Sequence, residues 1–328
     1  MSDMPSEPRA PLQPRAALDA ARVEAFLHER YGSGAGNVLP FDQGEWSKAF
    51  AYTIDGDARV IRFSALDEDF AKDQFAGRWR SPVLPIPRVL ELGPVPADLG
   101  GYVAVSERLY GDFIDDLDEA GMRALVPSLF AVLDATRTAD LGGTSGYGIW
   151  GVDGNAPFAS WPAFLLNVNS DSPANRIAGW RAALEASAVG AAPFDEAYER
   201  LRALAPLCPD DRHLIHSDLL HFNVLVADHR ITGLLDWGCA LYGDFLYDIA
   251  WFTFWARWFP EWHGIDFRQE ATRHFAASGL AVPNIAARLR ACELHIGLAG
   301  MTYQAYKGFR SDLAWTARQT LELARSPL

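Results

Sequence analysis

Cysteine is scarce in this sequence: Cys208, Cys239 and Cys292 are the only three in 328 residues, and none forms a CxxC pair. That excludes a disulfide framework and points to free thiols in a reducing, cytoplasmic setting. No apolar run approaches the roughly 18 residues that a membrane span needs. The opening MSDMPSEPRAPLQPRAA lacks an apolar signal core, so no secretion by that route is expected. The eight histidines include no pair with Cys or His at metal-ligand spacing on a helix. Positive charge is also in deficit, 29 Lys+Arg against 42 Asp+Glu, for a formal charge of −13. Such a surface repels nucleic-acid phosphates and attracts a polycationic small molecule. On charge alone, a generically soluble acidic protein is the plainer reading.

The length suits about two domains or one two-lobed fold, and 49% apolar with 22% charged residues is ordinary globular composition. Pro5, Pro8, Pro11 and Pro14 forbid a helix over residues 1–16, which read as a flexible tail. Residues 17–31 follow as a helix, with Leu18, Val23, Phe26 and Leu27 on one face. Phe50, Tyr52 and Ile54 alternate as in a strand, Asp55-Gly56 supplies a hairpin turn, and residues 59–63 return. A helix over 67–80, stopped by Pro82, Pro85 and Pro87, precedes strands at 88–92 and 102–107. Beyond Gly111 the pattern is helical, with a glycine-rich loop near 141–155 and a strand-rich island spanning 213–216, 223–226 and 230–237. The expected architecture is α+β and two-lobed. A strand-rich N-terminal lobe (17–106) joins near 106–111 to a larger, mainly helical C-terminal lobe (107–328), and a cleft between such lobes is a natural ligand site.

The island carries the strongest chemical signal: His216-Ser217-Asp218-Leu219-Leu220-His221-Phe222-Asn223, then twelve residues, then Asp236-Trp237-Gly238. An H-x-D-x-x-x-x-N loop followed closely by hydrophobic-D-x-G has the spacing of a kinase catalytic loop and metal-binding segment. Phosphoryl transfer needs a carboxylate to orient the acceptor hydroxyl and take its proton, the place for Asp218. It also needs hard oxygen ligands for Mg²⁺, here Asn223 and Asp236, held apart by the hairpin between them. Turn-capping roles for these three residues are the competing reading. His216 reads as structural, bonded to backbone around the loop; for His221, cleft and solvent remain open.

The segments FDQGEWSKAFAYTIDG, LPIPRVLELG, TSGYGIWG, RHLIHSDLLHFNVLV and LLDWGCALYGDFLYDIAWF resemble the aminoglycoside phosphotransferase family, most nearly its hygromycin B-phosphorylating members. The resemblance runs in order from about residue 20 to about 260. It implies a protein-kinase-like fold, ATP or GTP as phosphoryl donor, Mg²⁺, and a cationic antibiotic as acceptor, with Asp218 as base and Asn223 and Asp236 as metal ligands. It further implies a nucleotide-binding hairpin over residues 41–54, with Gly44 admitting the phosphates and Ser47 donating to them. Ser106, Glu107 and Arg108 would present backbone to the adenine edge. The family's strand lysine falls at Arg62, which keeps the charge but changes its shape. Asp73 is the chosen acidic partner, with Asp69 and Glu68 competing.

Asp244 and Asp248 resemble the family's helix-capping and loop-bracing acids. Trp251, Trp255, Trp258 and Trp262 form a helical stripe that reads first as core. Trp258 and Trp262 are candidates to border a sugar ring, and Glu261, Asp266 and Glu293 to bind substrate ammonium groups, against the plainer reading of solvated charges. The sequence thus predicts a monomeric kinase of an aminoglycoside, most nearly hygromycin B, giving resistance. Two alternatives stay open: another small acceptor such as a macrolide or choline, and a non-catalytic nucleotide-binding pseudokinase.

Overall fold

The computed structural model describes residues 18–41 and 47–328; the tail expected over 1–16 and Gly44 lie outside the described residues. Contacts divide the chain into two compact units. One holds the described residues up to Asp67 together with Arg88–Arg108, the other Glu68–Pro87 and Leu109–Leu328.

The first unit is a five-stranded antiparallel sheet beside helix α1 (Ala20–Tyr31). Its strands β1 (Ala35–Pro40), β2 (Ser47–Ile54), β3 (Asp57–Ser64), β4 (Val89–Pro94) and β5 (Tyr102–Glu107) run in the order β1-β2-β3-β5-β4. Asp55 and Gly56 both take positive φ, 50° and 89°, at the tip of the β2–β3 hairpin. This is the turn whose twist matches that of the flanking strands. Alternation places Phe50 and Tyr52, Ile61 and Phe63, and Val103 and Val105 in one buried cluster with Val23, Phe26 and Leu27 of α1. The helix starts at Ala20 rather than 17 because Asp19 caps it, accepting from Arg22 N at 2.8 Å. Strand β1 is absent from the sequence expectation: its AGNVLP sequence has poor strand propensity and joins through backbone pairing to β2.

The second unit begins with α2 (Glu68–Ala76), shorter than the 67–80 expected because residues 77–79 tighten into a 3₁₀ turn. The next helix is α3 (Glu119–Arg137), capped by Asp118. Strands β6 (Asp112–Phe113), β7 (Gly148–Ile149), β8 (His213–Ile215), β9 (Val224–Ala227), β10 (Arg230–Leu234) and β11 (Leu241–Gly243) make two three-stranded sheets, ordered β10-β9-β6 and β7-β11-β8. Helices α4 (Trp161–Leu166), α5 (Trp180–Ala186), α6 (Ala192–Leu204), α7 (Leu246–Trp255), α8 (Phe267–Ser278), α9 (Ile285–Lys307) and α10 (Arg310–Arg325) complete it. Helix α9 is buried along most of its length and packs against α5, α6, α7 and α10. A Cβ at Gly297 would lie 2.1 Å from Thr320 Oγ1, so only glycine there lets α10 approach this closely. Asp244 and Arg288 form a buried ion pair through two hydrogen bonds of 2.7 and 2.8 Å, tying the start of α7 to α9. No helix among the described residues is long and apolar enough to cross a membrane.

Candidate active site

Strand β8 feeds residues 216–223 into a loop whose backbone is left-handed at three non-glycine positions: Ser217 (φ 64°), His221 (φ 58°) and Phe222 (φ 66°). Such residues persist only where surrounding bonds fix them. Here two carboxylates do so. Asp248 of α7 accepts from His216 N at 3.0 Å and Ser217 N at 2.7 Å, gripping the entry to the loop. Asp115, in the 3₁₀ turn Ile114–Asp116, accepts from His221 N at 2.8 Å and Phe222 N at 2.9 Å, gripping its exit. Burial pushes the Asp248 carboxyl up to about 7, although its two amide hydrogen bonds pull the other way.

His216 ties the loop to the strand that ends at Asp236. Its Nδ1 accepts from Asp218 N at 3.3 Å, so Nε2 carries the ring proton and donates to Leu235 O at 2.9 Å. Burial holds this imidazole below its ordinary pKa and therefore neutral, in keeping with a structural role. Leu235 N donates to Asn223 O at 2.8 Å, and Ser217 Oγ donates to Cys239 O at 2.7 Å. The loop bearing Asp218 and Asn223 is thus bonded on both sides of Asp236. Backbone pairing of Leu235 with Asn223 therefore sets the separation of the two metal-ligand candidates.

Asn223 Nδ2 donates to Asp218 O at 3.2 Å, which orients the amide and leaves its Oδ1 as an acceptor. Asp236 is itself left-handed (φ 58°), a conformation Asp tolerates better than most residues, and its Oδ1 accepts from Gly238 N at 3.2 Å. Magnesium takes one or two protein oxygens and completes its shell with water and phosphate. One amide and one carboxylate oxygen fit that demand. No cluster of three or more His, Cys, Asp or Glu suited to a metal occurs among the described residues.

Helix α2 grips the turn after Asp236. Asp73, buried, accepts from Trp237 N at 2.8 Å. Lys72, also buried, donates to Gly238 O and lies 5.1 Å from the Trp150 ring centroid. Burial holds the Lys72 ammonium below its ordinary pKa, against the pull of nearby Asp69 and Glu68. Neither Lys72 nor Asp115 stands out in the sequence. Asp115 sits among the acids of FIDDLDE, where nothing in the pattern marks the one that turns toward the loop.

His221, left open by the sequence, places Nδ1 2.8 Å from Asp218 Oδ1. Partial burial opposes its charge, but the hydrogen bond and charge of Asp218 outweigh this and hold its pKa above the ordinary value. Its ring makes T-shaped contacts with Trp251 and Trp255 of α7, at 6.0 and 5.7 Å. The half of the tryptophan stripe nearest the loop is therefore its first half, whereas the sequence pointed to the second.

The other candidates fall elsewhere. In the first unit, Ser47 opens β2, Arg62 lies mid-strand in β3 opposite Ala49 and Ala104, and Ser106 and Glu107 end β5. Glu107 Oε1 accepts from Arg88 N at 3.0 Å, and the Arg108 guanidinium lies over Phe41. In the second unit, Trp258 is exposed and packs edge-on against Trp315 at 4.7 Å, and Glu261 is exposed. Trp262 is 1% exposed and donates from Nε1 to Leu117 O at 2.8 Å. Asp266 caps α8, accepting from Arg268 N and Gln269 N, both at 3.0 Å. Glu293 is also 1% exposed and is bonded to Thr253 Oγ1 and Arg268. Trp262 and Glu293 thus spend their polar atoms on internal partners. Trp262 and Asp266 line a cavity of about 380 Å³ that also carries Arg257 and Arg268, cations that oppose an ammonium ligand.

Comparison with known proteins identifies the family. The model of the phosphotransferase enzyme family matches residues 73–287. The hygromycin-B 4-O-kinase of Escherichia coli is 31% identical over 94% of this chain and 86% of its own length. A crystal structure of a thermostable mutant of aminoglycoside phosphotransferase APH(4)-Ia, in ternary complex with AMP-PNP and hygromycin B, matches with a TM-score of 0.79. It is 31% identical and covers 92% of this chain and 98% of that one. The GDP complex of an aminoglycoside 2'-phosphotransferase-IIIa mutant matches at 14% identity and a TM-score of 0.61, over 93% and 97% of the two chains, a likeness of fold alone.

Proposed function

Because the chain belongs to the phosphotransferase enzyme family, we propose that it transfers the γ-phosphoryl group of ATP to a hydroxyl of an aminoglycoside, hygromycin B. The observation that carries this reading is the bonded unit of Asp218, Asn223 and the strand leading to Asp236, described above. The formal charge of −13 suits a polycationic acceptor.

In this mechanism Asp218 orients the acceptor hydroxyl and takes its proton. The hydroxyl oxygen bonds to the γ-phosphorus as the bond to the β–γ bridging oxygen breaks, and ADP leaves. Asn223 Oδ1 and the Asp236 carboxylate would hold magnesium, which when bound with nucleotide neutralises charge on the phosphates. Arg62 and Ser47 donate to phosphate oxygens, with Gly44 shortly before Ser47 in the sequence, while residues 106–108 present backbone to the base. Asp73 serves through Trp237, fixing the turn that carries Asp236. Positioning and electrostatics supply most of the rate.

Expression in a hygromycin-sensitive bacterium tests the reading. The intact chain raises the inhibitory concentration of hygromycin B, and Asp218→Ala, expressed to the same level, returns it to that of the empty host. Equal protection by both proteins would remove Asp218 from the mechanism.

A further inference from the structure

We propose that His221 is the positioning residue of the catalytic carboxylate: its Nδ1–H holds Asp218 Oδ1 and leaves Oδ2 to receive the acceptor proton. The proposal rests on the reading of Asp218 as base. An ionised carboxylate only accepts hydrogen bonds, so the ring nitrogen 2.8 Å from Asp218 Oδ1 must be the donor. Among the described residues, this is the hydrogen bond that restrains the Asp218 carboxylate.

The ring is well placed to impose an orientation. Asp115 fixes the backbone of His221 and Phe222 through two hydrogen bonds, holding both residues left-handed. Trp251 and Trp255 meet the ring edge-on from α7, the helix whose Asp248 braces the other end of the loop. The half-exposed imidazole is thus held by α7 on one side and Asp218 on another. A carboxylate free to turn about χ2 would present its oxygens in many directions, and only a fraction would meet an incoming hydroxyl in line with the phosphoryl group.

The test uses the full chain with Mg-ATP and hygromycin B. His221→Leu keeps apolar bulk against the two tryptophans but removes the donor. Its kcat falls on the order of 10- to 100-fold, with KM for ATP and for hygromycin B unchanged. His221→Asn, whose Nδ2–H reaches toward the same oxygen, recovers most of that loss. Wild-type kcat in His221→Leu, or equal loss in both variants, overturns the proposal. A readout independent of turnover is nitrogen NMR of histidine-labelled protein, with His221 assigned from the spectrum of His221→Asn. The Nδ1 shift is that of a protonated nitrogen, and Asp218→Ala moves it toward the average of the two tautomers; a bare Nδ1 in the wild type overturns the proposal. Full turnover by Asp218→Ala instead overturns the assignment of the base, so the two failures are distinguishable.

Discussion

Buried histidines set how the second unit responds to acid. His295, enclosed on α9 with Nδ1 2.9 Å from Tyr247 Oη, has its pKa pushed down by burial to about 3. The native state therefore keeps it neutral where the unfolded chain protonates it, near 6.5. The unfolded state binds the extra proton, so stability falls as pH drops from about 6.5 to about 3, by about 1.4 kcal/mol per pH unit from this group. His216 acts in the same direction. Asp248, raised to about 7, acts oppositely: its contribution is complete below about 3.8 and is lost as pH rises through about 7. Comparing wild type with His295→Gln isolates the one group. Urea unfolding at pH 7 and pH 5 should show the variant's deficit shrinking by roughly 2 kcal/mol at the lower pH. A deficit independent of pH would refute the assignment.

Among elements, the 216–223 loop shows what a sequence can and cannot reveal. The spacing from His216 through Asn223 to Asp236 is local, and the hairpin of β9 and β10 converts it directly into geometry. The bracing is not local. Asp115 lies more than a hundred residues before the amides it caps, and α2 reaches the 237–239 turn from more than 160 residues away. Periodicity identifies the buried face of α2 but not the partner it meets. Nor does polarity separate Glu293, sealed among Arg268 and Thr253, from a solvated acid. Asp115→Ala leaves two amides of left-handed residues without their acceptor. The expected cost is about 1 kcal/mol of stability, by analogy with helix caps, with a larger loss in kcat than in KM. Calorimetry and steady-state kinetics on the same preparation check it; wild-type kcat would show that the loop holds its shape without Asp115.

At the scale of the whole molecule, the chain enters the second unit twice, first at Glu68–Pro87 and again from Leu109. Of the residues assigned to nucleotide, Ser47, Arg62, Ser106 and Glu107 lie on β2, β3 and β5, and those assigned to chemistry lie in the 216–239 segment. The order of strand and helix patterns predicts the α+β fold, with an antiparallel sheet ahead of mainly helical sequence; charge by itself favours a generic acidic protein, and the cationic acceptor comes from the motifs. Neither pattern order nor charge names the antibiotic, since that requires groups touching the acceptor, and the tryptophans beside His221 were not distinguishable by spacing from core. The most direct measurement is the mass of hygromycin B after incubation with the purified chain and Mg-ATP. The account predicts antibiotic heavier by one phosphoryl group with matching ADP release, and no such product from Asp218→Ala; antibiotic recovered unchanged from the wild-type reaction would contradict it.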